Sequence, residues 1–426
     1  MHSNIINSLH IDAKKIIDDV IKENQPQEAV REALQKHKFS KNIYLLAIGK
    51  AAWTMAQAAE RELGERIKKG IVITKYDHSR GDLQGMEIIE AGHPISDENT
   101  LTAAEKAIEM AQNLGADDEL LFLISGGGSA LFEYPLEGLT LDDIKQVNSM
   151  LLACGADIIE INMIRKRLSR VKAGRFAQIC SPAKVFTVAL SDVLGDKLDS
   201  IASGPSAPDS STVQDAMNVI DKYKLDVSRK ILEYLKMETP KSLDNAQYAV
   251  TGSVRKLCES AARAALKLGY APHVLCAEMN CEAREAGRFI SSIAKEICAP
   301  CGGDSQKEKI KKPYAVIFGG ETVVTLKGNG KGGRNQELVL SAAEGIAGLE
   351  NILVFSLSSD GTDGPTDAAG GIADGASSAK LKEKGLSLRG MLDNNDSYNA
   401  LCAIGGLIKT GPTGTNVNDV TVILAK

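Results

Sequence analysis

Short apolar runs alternate with stretches of helical periodicity along nearly the whole chain, and this alternation limits the fold more than any other feature. IYLLAIG leads into KAAWTMAQAAEREL, GIVITK and MEIIEAGH precede TLTAAEKAIEMAQNL, and that stretch leads into ELLFLIS. AKVFTVAL, QYAVT, a helical stretch from Val254 to Leu268, and APHVLCA continue the pattern. Buried-type strands that each feed a helix are the sequence form of parallel strands with crossover helices. The expected class is α/β.

At 426 residues the chain is longer than one core usually serves, so two domains are expected. The best boundary is the polar, Pro240-containing segment KMETPKSLDNAQ, giving domains 1–240 and 241–426. CGGDSQKEKIKKP, residues 301–313, is expected as an exposed loop of the second domain. After it, AVIFGGETVVTLKG reads as two strands joined by a tight turn at Gly319 and Gly320. The first sheet is therefore expected to be mostly parallel, and the second, in the smaller C-terminal domain, mixed.

The formal net charge of −5 and the 4% aromatic content, with no basic stripe, argue against a nucleic-acid surface. No apolar run approaches the ~20 residues that span a bilayer, so no membrane association is expected. The N-terminal stretch MHSNIINSLHIDAKKIIDDVIKE lacks the order of a signal peptide and reads as an amphipathic helix. A cytoplasmic enzyme is the expectation. Eight cysteines in so long a chain do not make a disulfide scaffold. Cys276, Cys281, Cys298 and Cys301 approach a zinc-ribbon spacing, but a strand end, a helix and a surface turn explain them, and no metal is placed there.

Six segments carry candidate chemistry. In LLFLISGGGSALFEYP a strand runs into Ser125, Gly126, Gly127, Gly128 and Ser129 and then a helix, an arrangement that leaves backbone N–H groups open to an anion. A sharp ligand-free turn fits the same residues. In AIGKAAWTMA, Lys50 follows Gly49 at a strand end, where α/β folds bind ligands and an ammonium can meet an anion. INMIRKRLSRVKAGRFAQI reads as a basic helix whose cations cannot all share one face; Arg165, Ser169 and Lys172 recur at helical spacing, against the usual fate of a solvated face. SDVLGD places Asp192 and Asp196 after a strand, as partners for a cation or hydroxyl, or as turn formers.

KGNGKGGRNQELVL satisfies G-x-G-x-x-G through Gly328, Gly330 and Gly333, with a strand expected before it and a helix after. A lone match is weak, and Asp360 follows at a longer offset than a dinucleotide fingerprint needs. Lys331 and Arg334 add cations, so Gly328, Gly330, Lys331, Gly332 and Gly333 read as a phosphate-binding loop with Arg334 placed to meet transferring charge. In SSDGTDGPTDAAGG, Asp360 and Asp363 are the candidate Mg²⁺ ligands, and an Asp-Gly turn series is the bland alternative.

Taken in order, AIGKAAWTMA, ISGGGSALFE, INMIRKRLSRVKAGRFA, SDVLGDKLDSIASGPSAPD, GGETVVTLKGNGKGGRNQE and DGTDGPTDAAGG resemble the glycerate 2-kinase family, and the C-terminal part resembles the domain called MOFRL. That resemblance implies ATP-dependent phosphorylation of D-glycerate at its 2-hydroxyl, giving 2-phosphoglycerate and ADP, with Mg²⁺ or another divalent cation. It implies a Rossmann-like N-terminal domain with helices on both faces of its sheet, a smaller C-terminal α/β domain, and a site in the cleft between them. The family's essential lysine and arginine fall on Lys50 and Arg334. On this reading they flank the γ-phosphate, and the Ser125–Ser129 amides hold an anion, with glycerate favoured over a nucleotide phosphate. Arg165 and Lys172 join the substrate set, Asp192 orients the substrate hydroxyl, and Asp360 or Asp363 approaches Mg²⁺. A homodimer is a possible assembly. An NAD(P)H-dependent hydroxypyruvate reductase is the alternative enzyme, and a non-catalytic sugar-phosphate binding module the alternative of another class.

Overall fold

The structure is a computed structural model that describes residues 2–191, 195, 197–298 and 313–426. Its described strands are β1 (Asn42–Ile48), β2 (Ile67–Lys75), β3 (Met86–Ala91), β4 (Asp118–Ile124), β5 (Lys184–Leu190), β6 (Ala246–Gly252), β7 (Ala271–Met279), β8 (Tyr314–Gly320), β9 (Ile352–Ser358), β10 (Gly370–Asp374), β11 (Leu407–Ile408) and β12 (Asp419–Ala425). They form two sheets, in the orders β3-β2-β1-β4-β5-β6 and β11-β10-β9-β12-β8-β7.

In the first sheet β1 pairs parallel with β2 and β4, β2 with β3, and β4 with β5. Strand alternation sorts its side chains into two cores. Leu46, Ile48, Leu120, Phe122 and Ile124 enter one core with Ala103, Ala104 and Ala107 of the helix Glu98–Gln112. Ile43, Leu45, Ala47, Leu121 and Leu123 enter the other, under the helices Pro26–Lys36 and Ala52–Leu63. Covering both faces explains why β1 and β4 are apolar almost without interruption. Four further helices, Leu141–Ala153, Ile158–Leu168, Val213–Tyr223 and Arg229–Leu235, pack around a core of their own.

The second sheet is mixed, as expected. Strand β12 is antiparallel to β8 and β9, β10 is antiparallel to β9 and β11, and β7 runs parallel to β8. The helices Ala283–Cys298 and Arg334–Gly345 lie close on one face, because Gly287 has no Cβ to strike the Leu338 carbonyl, which would stand 2.3 Å away.

The hairpin expected at Gly319 and Gly320 is corrected. Both glycines end β8, and residues 321–333 carry only a bridge at Val323. Close approach explains the pair: a Cβ on Gly319 would lie 2.4 Å from Cys258 Sγ, and one on Gly320 would lie 2.1 Å from the Met279 carbonyl oxygen.

The chain divides into compact units 26–251 and 1–25 with 252–426. This differs from the expected division in two places. KMETPKSLDNAQ looked like a linker but runs inside the first-sheet unit: Asp209 N–H donates to the Pro240 carbonyl at 2.9 Å, and the Asn245 amide donates to the Ala177 and Ala183 carbonyls. The N-terminal helix His2–Glu23 belongs to the other unit. Tyr270 donates to Asp12 at 2.8 Å, Lys426 pairs with Asp12 at 2.7 Å, and His10 meets Asp374 at 3.1 Å. Among the described residues no helix is long and apolar enough to cross a membrane.

Candidate active site

In the first-sheet unit the candidate residues collect at the carboxyl edge of the sheet. Gly49 and Lys50 leave β1, and Ser125 to Ser129 leave the neighbouring β4. The two turns are laced together: Lys50 N–H donates to the Gly126 carbonyl at 2.9 Å, Ala51 N–H donates to Ser125 Oγ at 3.0 Å, and Ser125 N–H donates to the Ile48 carbonyl at 3.0 Å. Gly49 is required at this crossing. Its φ is +113°, and a Cβ would stand 2.4 Å from the Ser125 carbonyl oxygen.

This lacing leaves specific groups open. The amides of Gly126, Gly127 and Ser129 donate to no acceptor among the described residues. The exposed Lys50 ammonium has no ion-pair or hydrogen-bond partner among them either. Three N–H groups unused among the described residues, on a turn against which the Lys50 side chain packs, make an anion receptor. The short helix Gly128–Leu131 that follows is only one turn long, so the open amides and the ammonium, rather than a helix dipole, define the site.

The basic segment is mostly framework. The helix ends at Leu168, and Ser169 is already extended, so Arg165, Ser169 and Lys172 do not share a helical face. Lys172 is fully buried. Its ammonium donates to the Ser129 and Phe132 carbonyls at 2.9 and 2.7 Å and pairs with the buried Glu133 at 3.2 Å. Burial pushes its pKa down to about 8, against the pull of Glu133. Lys172 therefore pins the glycine loop from within the protein, which corrects its expected place on the substrate. Arg165 donates to the Ser129 carbonyl at 3.1 Å, and its Nε has no partner among the described residues. Lys166 bridges Asp199 and Asp209, and the buried Arg167 donates to Thr239 and to the Ser211 carbonyl. Asp192 and Asp196 lie outside the described residues.

In the other unit Arg334 opens the helix Arg334–Gly345. Its Nε and Nη2 grip Asp419 at 2.5 and 3.0 Å, and its Nη1 lies 2.9 Å from Glu321. Two of five N–H donors are thus hydrogen-bonded to Asp419, and Glu321 adds an ion pair, leaving three donors. Asp419 raises the guanidinium pKa above its already high value, against the effect of burial.

The G-x-G-x-x-G expectation is corrected. The N–H groups of Lys327 and Gly328 donate to Asn395, those of Asn329 and Gly330 to Asn394, and that of Lys331 to Asp396. The glycines permit this packing: a Cβ on Gly328 or Gly330 would lie 2.5 Å from Asn394 atoms, and one on Gly332 would lie 2.1 Å from Ser397 Oγ. Lys331 stacks its ammonium over Tyr398 at 4.3 Å. Gly333 stands against Asp363, whose carboxylate accepts from the amides of Asn335 and Gln336 at 3.1 and 2.9 Å. Asp363 is therefore a buried helix cap with both oxygens occupied, and it does not fit a metal-ligand role. Burial raises its pKa to about 6. Asp360 differs. Its Oδ1 accepts from Ser358 and Thr362, while Oδ2 has no partner among the described residues. In the cysteine cluster, Cys301 lies outside the described residues.

Sequence reasoning missed His93, two residues beyond β3, whose imidazole lies against Gly127. Its signal was a polar EAGHP stretch leaving a strand, the same cue that drew attention to Lys50. Asp419 and Glu321 were missed because their partner is remote in sequence.

The domain of unknown function DUF4147 matches residues 12–236, and the MOFRL family matches residues 314–419. The chain is 50% identical to a D-glycerate 2-kinase of Thermotoga maritima over 96% of its own length and 97% of the relative's. It is 39% identical to a glycerate 2-kinase of Pyrococcus horikoshii over 96% of each. A relative from Agrobacterium vitis, 38% identical, carries a provisional hydroxypyruvate reductase name. The crystal structure of the Thermotoga maritima glycerate kinase superimposes with a TM-score of 0.94, over 99% of this chain and 100% of that one. The chain belongs to the glycerate 2-kinase family, with a C-terminal MOFRL region.

Proposed function

We propose that the protein transfers the γ-phosphoryl group of ATP to the 2-hydroxyl of D-glycerate, giving 2-phosphoglycerate and ADP. One observation carries this reading beyond the family: Lys50, whose ammonium has no partner among the described residues, brings its Cγ to 3.4 Å from where a Cβ on Gly127 would stand, and the amides of Gly126, Gly127 and Ser129 on that turn are open among the described residues. Both substrates are anions. An in-line phosphoryl transfer needs position and charge neutralisation more than covalent help from the protein.

On this reading the open amides hold the glycerate carboxylate, and Lys50 meets charge on the transferring group. Arg334 acts through its remaining N–H donors, in an orientation imposed by Asp419 and Glu321. Asp360, through its uncommitted Oδ2, is the carboxylate proposed to approach a divalent cation that arrives with the nucleotide phosphates. Asp192 keeps its proposed part in orienting the substrate hydroxyl. The G-x-G-x-x-G match that favoured a dinucleotide loses its force, since the amides it was to offer are bound within the protein.

The test mixes protein, D-glycerate, Mg²⁺ and ATP, follows ADP, and identifies the phosphoglycerate isomer. ADP with 2-phosphoglycerate is expected. No ADP above background, with NADH consumed in a parallel hydroxypyruvate reaction, overturns the reading.

A further inference from the structure

His93 stands at the rim of the same receptor and has no assigned work. Its Cδ2 and Nε2 lie 3.0 and 3.1 Å from the point where a side chain at position 127 would begin, and Lys50 Cγ lies 3.4 Å from that point. A side chain there would crowd both the imidazole and the lysine, and the φ of +86° at Gly127 favours glycine independently. His93 is half-buried, and neither ring nitrogen has a hydrogen-bond partner among the described residues. The other nearby imidazole is already used, since His78 Nδ1 lies 3.1 Å from the Lys50 carbonyl oxygen.

We propose that His93 is a catalytic residue of this reaction and takes up the proton of the glycerate 2-hydroxyl as that oxygen attacks the γ-phosphorus. The inference rests on the kinase reading above. A carboxylate bound at the Gly127 amide carries its 2-hydroxyl on the adjacent carbon, within reach of groups bordering Gly127. In the step, a bond forms between the 2-oxygen and the γ-phosphorus while the bond from that phosphorus to the β,γ-bridging oxygen breaks. The bridging oxygen departs with ADP, and the hydroxyl proton passes to the imidazole and then to solvent.

The imidazole must be neutral to accept that proton, and its surroundings favour this. Burial, then the charges of Lys50 and Lys75 and the neighbouring His78, hold its pKa below the ordinary histidine value. These are the charged and titratable groups that act on it from the ends of β1 and β2. A general base of this kind contributes roughly 10²–10⁴-fold.

The test compares wild type with His93→Gln and His93→Asn, measuring kcat against pH at saturating ATP and Mg²⁺, glycerate KM, and thermal stability. Expected are a fall in kcat on the order of 10²-fold or more, a glycerate KM little changed, and loss of the acid-side decline that wild type shows below the ordinary histidine range. A kcat near wild type in either folded variant overturns the assignment, as does lower activity with the acid-side decline intact. If wild type forms no ADP from glycerate, the kinase reading falls first and this inference with it; if wild type is active and the variants match it, only His93 falls.

Discussion

Asp419, the first residue of β12, holds Arg334 along one edge of its guanidinium, with Oδ2 2.5 Å from Nε and Oδ1 3.0 Å from Nη2. The Asp419 side chain is 7% exposed and that of Arg334 30%, so solvent screens the pair on the arginine side only. Asp419→Asn keeps the shape but turns an amide N–H toward a guanidinium N–H. Breaking such a pair costs about 3 kcal/mol, the low end for buried pairs. In a unit of this size that lowers Tm by roughly 6 °C or more. Calorimetry checks it; a Tm within about 2 °C of wild type counts against the pair.

Lys50 and Arg334 carry the same sign, and their loss should read differently. Lys50→Met removes an exposed ammonium with no partner among the described residues, so stability should stay within ~0.5 kcal/mol while kcat falls on the order of 10²–10³-fold. Arg334→Met also strands the buried Asp419, so it should lower Tm as well as kcat. Melting curves and turnover on the same preparations separate the two. Equal stability losses, or a near-normal kcat in Lys50→Met, would show that these charges are misassigned.

Asp363 gives a pH-dependent prediction. Burial raises its folded pKa to about 6 from an ordinary 3.8, against the amide hydrogen bonds that favour its charged form. The folded state then binds more protons than the unfolded state between those values, so stability falls as pH rises through that window. Asp363→Asn lacks this titration. The stability of wild type relative to Asp363→Asn should therefore decline between about pH 4 and 6 by on the order of 2–3 kcal/mol, and hold steady above. A difference that is flat, or that rises, with pH refutes the assignment.

Both sheets were legible because apolar runs and helical periodicity depend on neighbours close in sequence. The loops were legible only in part. Lys50 and the Ser125–Ser129 turn could be placed because each leaves a buried strand, and a strand end fixes where its turn must stand. GNGKGG looked like a cradle because glycine spacing records that a backbone needs close approach, not what approaches it. Here the neighbour is the 394–397 segment of the same unit. Lys172 shows the same gap: sequence gives its charge, but burial against Glu133 depends on a fold that spacing along one helix cannot reveal.

The crossing of the two site turns supplies the last prediction. Gly49 adopts φ +113°, and a Cβ there would lie 2.3 Å from Ser125 Oγ and 2.4 Å from the Ser125 carbonyl oxygen. The hydroxyl can rotate away, but the carbonyl belongs to the backbone at the end of β4 and cannot. Gly155 is the control, since its φ is +77° and nothing lies within 4 Å of its added Cβ. Gly155→Ala should show only the left-handed backbone penalty, about 1–2 kcal/mol. Gly49→Ala adds a backbone collision and should cost more than about 3 kcal/mol. It should also weaken glycerate binding, because the Lys50-to-Gly126 hydrogen bond that sets the receptor must shift. Adding Ser125→Gly removes only the hydroxyl and should not restore stability. If the double variant melts like wild type, the carbonyl contact is not the constraint that makes Gly49 necessary.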